Sequence, residues 1–137
     1  MSRQERRSRD FIERELERAG ANPRDYRLSS FAGKIVAQRN STFDPYQRHM
    51  QGRTNEQRIR EGLSPYDRGG ERVVLHHPNQ SSEGPLIELT TAEHLSIRVR
   101  HKSTEIDRPD SRNFRELYWM ARAAAIRNPE PELFYWK

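Results

Sequence analysis

The stretch from Arg72 to Val99 limits what this chain can fold into more than any other. Arg72-Val73-Val74-Leu75-His76 predicts a strand, and the polar residues 78–84 predict a loop. Pro85-Leu86-Ile87-Glu88-Leu89 predicts a second short strand. Thr90 with Glu93 three residues later is a capping box, so a helix opens at Thr91. Leu95 and Val99, four apart, are expected to give that helix its buried side. The order is strand, loop, strand, helix.

Of the five histidines, His76, His77, His94 and His101 fall in this unit or just after it, and His49 lies apart in an expected loop. Adjacent strand residues point to opposite faces, so His76 and His77 can divide two tasks. Pro78 keeps His77 out of the α region and fixes the strand exit. His94 and His101 are seven apart, which places them on one helix face with Arg98 between them. Imidazoles bind divalent metals, and a metal beside an unliganded histidine makes a phosphodiesterase site. The free ring deprotonates water while the metal stabilises the developing charge. Such histidines are also at home as polar surface, so spacing alone leaves both readings open.

The rest of the chain reads as mostly helical. Residues 3–19 predict an amphipathic helix with Phe11, Ile12, Leu16 and Ala19 as its stripe, stopped by Gly20 to Pro23. Residues 26–52 are ambiguous: Phe31 to Ala37 suits a short helix or a strand, and Phe43 to Gln51 a loop. Thr54 and Gln57 predict a capped short helix from Asn55 to about Gly62. A last helix is expected from Arg112 to Arg127, with Phe114, Leu117, Tyr118, Ala121, Ala124 and Ala125 facing inward. The tail Leu133-Phe134-Tyr135-Trp136 is expected to dock on the core. At 137 residues with 32% hydrophobic and 33% charged content, one domain with a small core is expected.

Cysteine is absent, which removes disulfides, thiolate zinc sites and cysteine nucleophiles together. The longest apolar run, Leu117 to Ala121, is five residues, so no membrane span is expected, and the first residues lack the apolar stretch of a secretory signal peptide. All but three of the 25 basic residues are arginine, the lysines being Lys34, Lys102 and Lys137. Arginine binds phosphate bidentately, so the bias favours a polyanionic partner, although solvated helices account for it equally well. The net charge of +5 resides in residues 1–70, and residues 71–137 balance at zero.

The run Thr54-Asn55, Arg58-Ile59, Gly62-Leu63-Ser64-Pro65, Asp67, Gly69-Gly70, Val74-Leu75-His76-His77, Gln80, Gly84 to Leu89 and His94 resembles the LHH nucleases of the HNH/endonuclease VII superfamily. Phe114 through Tyr118-Trp119 to Arg122-Ala123 resembles their closing helix. The resemblance spans about residues 53–126, and the first fifty residues resemble no named family. One departure is Ile59, where the family often has methionine, a hydrophobic swap.

The resemblance implies an α+β fold: a small, mostly helical domain built around a ββα-metal finger. It implies residues 51–137 as the nuclease; residues 1–50 are expected to form an N-terminal helical extension packed on it, or the chain a single domain over 1–137. It assigns His76 and His94 as metal ligands, His101 as a further ligand or phosphate contact, and His77 as the general base. Asn79 and Gln80 would shape the loop between the strands. Nearest the histidines in sequence, Arg53, Arg72, Arg98 and Arg100 are the candidates for phosphate contacts. The implied cofactor is one divalent ion, Mg²⁺, Mn²⁺, Ni²⁺ or Zn²⁺, among which histidine ligands alone do not choose.

The expected activity is hydrolysis of DNA phosphodiesters with little sequence preference. Many members of the family are bacterial toxin domains. That implies delivery by a secretion system, action in the target-cell cytoplasm, and an immunity protein expected to be acidic against this basic chain. Three alternatives differ in what they predict. A ribonuclease using the 2′-hydroxyl would cut in EDTA. A non-catalytic arginine-rich binding module would bind without cutting, its histidines structural. A secretion-system adaptor would use the basic first half to meet a delivery partner.

Overall fold

The apolar spacing of the N-terminal segment delivers the helix it predicts. Helix α1 runs Arg3–Ala19 and buries Ile12, Leu16 and Ala19, with Glu15 among them. A Schellman motif closes it: Gly20 sits at φ +78°, and the Ala21 N–H reaches the Leu16 carbonyl at 2.9 Å. The computed structural model describes residues 3–49, 52–76, 85–98 and 112–127.

The ambiguous region after α1 is a β-hairpin. Strand β1 (Arg27–Phe31) pairs antiparallel with β2 (Lys34–Gln38), Phe31 opposite Lys34. The two-residue turn between them holds Ala32 at φ +52° and Gly33 at φ +78°, the pair of left-handed residues that a type I′ turn requires. Helix α2 (Asn55–Arg60) starts at the expected capping box, in which Thr54 and Gln57 each bond the other's backbone N–H.

Strands β3 (Val73–His76) and β4 (Leu86–Thr90) pair antiparallel, placing His76 opposite Ile87. With no intervening loop, β4 passes into α3 (Thr91–Arg98), whose start is fixed by the reciprocal Thr90 and Glu93 bonds. This is the ββα order expected from the resemblance. Helix α4 spans Arg112–Arg127. The strands lie in the order β1-β2-β4-β3, with β2 and β4 parallel and Val36 opposite Leu86. Four helices and a four-stranded sheet thus make an α+β fold among the described residues. The first fifty residues supply α1 and two of the four strands. No helix among the described residues is long and apolar enough to cross a membrane.

Side-chain alternation along the strands gives the sheet two apolar faces. Ile87 and Leu89 pack with Ile12, Leu16, Leu28 and Ala37, and with Ile97 of α3. Leu86, Val73 and Leu75 pack on the other face with Ile59, Tyr118, Trp119 and Ala123, from α2 and α4. Glu88 follows the same alternation toward α4, where it meets Arg122.

Two expected helix faces are corrected. On α4 the buried residues are Tyr118, Trp119, Arg122 and Ala123, while Ala121 and Ala124 are exposed and Leu117 is 50% exposed. The seam is rotated because Arg122 turns inward to the buried Glu88 carboxylate, and a pattern that scores arginine as solvated cannot place it. On α3, Ile97 is buried against α1 and Leu95 is half exposed. Val99 and the aromatic tail lie outside the described residues.

Candidate active site

His76 closes β3. Its neighbour Leu75 enters the α4-side core, so the pleat turns His76 toward α1 and α3, where it is 5% exposed. Helix α3 is fixed over that face at three points. Ile97 packs against Ile12 and Leu16 of α1. The Thr91 hydroxyl donates to the Arg72 carbonyl at 2.7 Å, tying the first turn of α3 to the start of β3.

Arg39, just after β2, supplies the third anchor by gripping the Glu93 carboxylate with two guanidinium bonds of 2.9 and 2.6 Å. Burial works to raise the Glu93 carboxyl pKa, but the bonds from Arg39 and from the Thr90 backbone outweigh it and hold the group below its ordinary value. Burial likewise works to lower that of Arg39, and the Glu93 bond reverses it to a net rise. Arg39 also lies 4.8 Å from the centre of the Tyr26 ring. This arginine is committed to holding α3.

With α3 fixed, the residue after Glu93 meets the strand. The His94 and His76 rings stand edge to face with centres 4.9 Å apart and planes at 63°. A third group comes from α1: Glu15, 2% exposed, places Oε1 3.3 Å from His76 Nε2. Its Oε2 accepts from Arg18 Nη1 at 3.2 Å. The other ring nitrogen, His76 Nδ1, is buried without a hydrogen-bond partner among the described residues.

These residues fit a divalent ion. A buried imidazole nitrogen with no partner is costly unless something takes its lone pair. Two imidazoles sharing one tetrahedral ion, each bonded at about 2.0 Å, set their ring centres roughly 5 Å apart. The His76 and His94 rings have that spacing. Among the described residues no three His, Cys, Asp or Glu side chains form a complete cage, so this pair supplies at most part of one.

The other sequence candidates fall into two groups. His77, Asn79, Gln80, Arg100 and His101 lie outside the described residues, and Arg98 is described only as the last position of α3. Arg53 is half exposed and pairs with Glu61 at 3.2 Å. Arg72 is exposed on the bridge to Tyr66 that leads into β3. His49 stands apart and braces a loop: its Nε2 lies 2.8 Å from Asn55 Oδ1, and its ring packs on Tyr66. The fully buried Asn55 side chain also accepts from the Tyr66 N–H and donates to the Asp44 and Tyr66 carbonyls.

Sequence reasoning missed Glu15. The signal was available, since position 15 falls on the stripe of Ile12, Leu16 and Ala19, where a carboxylate is out of place. It gave Asn55 no role of its own, taking Thr54-Asn55 as a helix start and as part of the family resemblance.

A family model described as a nuclease of the HNH/ENDO VII superfamily with conserved LHH matches residues 54–125. In this chain that triplet is Leu75-His76-His77. No solved structure matches the chain.

Proposed function

The chain belongs to the LHH family of nucleases in the HNH/endonuclease VII superfamily, and from that premise we propose that it is a metal-dependent endonuclease hydrolysing DNA phosphodiester bonds. Nucleases of this superfamily generally depend on a divalent metal. The observation that carries the reading is the close edge-to-face pair of His76 and His94, with a buried nitrogen on His76 that has no partner among the described residues.

In this proposal His76 and His94 hold the ion, and His101 is a further ligand candidate. Bound there, a divalent cation supplies Lewis-acid relief of the charge that builds on the phosphorane and the leaving oxygen. His77 takes a proton from the attacking water as the oxygen adds to phosphorus and the 3′ ester oxygen departs. Arg53, Arg72, Arg98 and Arg100 hold the phosphates, and Asn79 and Gln80 shape the loop between the strands. The pairing of β2 with β4 and the packing of α1 on α3 support the reading of residues 1–137 as a single domain.

The same proposal makes the protein an antibacterial toxin domain, delivered by a bacterial secretion system and neutralised by an acidic immunity protein. The family resemblance and the positive charge of residues 1–70 support it.

Supercoiled plasmid incubated with the protein and Mg²⁺, Mn²⁺, Ni²⁺ or Zn²⁺ is the test. Relaxed and linear products should form with metal and not in EDTA. His77→Ala should slow cleavage by about 10²- to 10⁴-fold. Cleavage by that variant at the wild-type rate would remove the assigned base. Cutting of RNA in EDTA would point to 2′-hydroxyl chemistry instead.

A further inference from the structure

The matched residues begin at position 54, yet the carboxylate beside His76 belongs to α1, at position 15. Glu15 is buried on an otherwise apolar stripe, where an ionisable side chain is costly to keep unless it is bonded. One oxygen faces Arg18 Nη1 and the other faces His76 Nε2.

For a neutral ring, the form that can ligate a metal, the hydrogen-bond chemistry of this contact has one consistent solution. A carboxylate beside a guanidinium accepts at both oxygens, so the imidazole nitrogen facing Oε1 must be the donor. Neutral imidazole carries one N–H. With the proton on Nε2, the lone pair lies on Nδ1, the nitrogen that has no partner among the described residues. The opposite tautomer would bury an unpaired N–H at Nδ1 and set a lone pair against the carboxylate, which is unfavourable at both ends.

We propose that Glu15 is a positioning residue: it accepts the His76 Nε2–H, fixes the ring's tautomer and orientation, and so presents Nδ1 as the ligand atom for the metal. This rests on the reading of His76 as a metal ligand. Glu15 does not ligate directly, since it occupies the Nε2 side of the ring and forms no three-residue cage with the two histidines. The consequence is that α1 belongs to the working site, although it lies outside the matched segment.

Two measurements on the full chain test this. Long-range ¹⁵N–¹H correlation spectra of histidine-labelled, metal-free protein report which ring nitrogen carries the proton. His76 should be the Nε2–H tautomer in wild type and should lose that preference in Glu15→Ala. A dominant Nδ1–H tautomer in wild type overturns the proposal.

Calorimetric titration with Zn²⁺ is the second measurement. Glu15→Ala should weaken binding by about 10- to 100-fold. The isosteric Glu15→Gln keeps an acceptor oxygen and should fall between Ala and wild type, and it serves equally if the alanine variant does not fold. His76→Ala should lose more than either. Unchanged affinity in the Glu15 variants beside a large loss in His76→Ala overturns the role of Glu15 alone. A loss in folded Glu15→Gln as large as in His76→Ala makes Glu15 a direct ligand and also overturns it. Wild-type affinity in His76→Ala overturns the metal-site reading, and this proposal with it.

Discussion

Arg122 Nε donates to Glu88 Oε2 at 2.8 Å with the two side chains 1% and 0% exposed, so an ion pair occupies the middle of the α4 face of the sheet. The guanidinium also bonds Asn40 and stacks over Phe43, and the Tyr118 hydroxyl donates to the same carboxylate. Burial works to lower the Arg122 pKa, and the charge and bonds of Glu88 more than reverse it. The pair locks α4 to β4, the strand that holds His76 in register through Ile87.

Removing one partner should therefore be worse than removing both. Arg122→Met strands a carboxylate away from water, and about 3–5 kcal/mol of stability should be lost. The double variant Glu88→Gln/Arg122→Met, with no buried charge left at this position, should recover a large part of that loss. Urea denaturation of the two variants and wild type measures both quantities. A loss under about 1 kcal/mol in Arg122→Met would show that water reaches Glu88 after all.

Alkaline pH should destabilise the fold through two tyrosines. Burial, with Glu88 adding to it, raises the Tyr118 hydroxyl well above its ordinary value of 10.0. Burial raises Tyr26 too, against an opposing pull from Arg39. The unfolded chain releases these protons near the ordinary value while the native chain keeps them. Their contribution is thus full below about pH 10 and is lost as pH rises. The slope should approach about 1.4 kcal/mol per pH unit for each tyrosine. Urea midpoints taken from roughly pH 8 to pH 11 measure it, and Tyr118→Phe should remove about half of the alkaline slope. A wild-type slope no steeper above pH 10 than below it would contradict the burial of both hydroxyls.

What could be read from the sequence follows a physical line. Helix ends were legible because caps are local: Thr54 with Gln57 and Thr90 with Glu93 sit within one turn of the bonds they make. The histidine unit was legible because strand, strand and helix follow one another without a long detour. Whatever depends on a distant partner was not. The inward turn of Arg122 needs Glu88, and the importance of Glu15 needs His76, 61 residues away in the chain. The β1–β2 hairpin was hidden for a local reason, since alanine at the first turn position gives no type I′ signal.

That alanine is a site where stability can be gained. A side chain at φ +52° is costly, by about 1–2 kcal/mol relative to the right-handed region. Ala32 is exposed, so a change there disturbs no packing. Ala32→Asn should relieve part of the strain, and Ala32→Gly should relieve all of it but return some of the gain as unfolded-chain entropy. Each should stabilise the protein by about 0.5–1 kcal/mol, read as a higher urea midpoint at unchanged m value. A lower midpoint in both variants would mean the turn is not of this type.

Metal binding separates the roles proposed for the adjacent histidines. An ion that binds only the folded chain stabilises it by about 2.7 kcal/mol at one hundred times its Kd. For a chain of this size that is a rise in Tm of roughly 10 °C. Zn²⁺ should produce the rise in wild type, and excess EDTA should reverse it. His76→Ala and His94→Ala should abolish the shift, because each takes a nitrogen from the ion. His77→Ala should keep most of it while losing cleavage, because a general base acts on water and leaves the coordination unchanged. Differential scanning fluorimetry of the three variants beside the plasmid assay reads both properties. If His77→Ala lost the shift as fully as His76→Ala, position 77 would be a ligand and the base would have to be sought among other side chains.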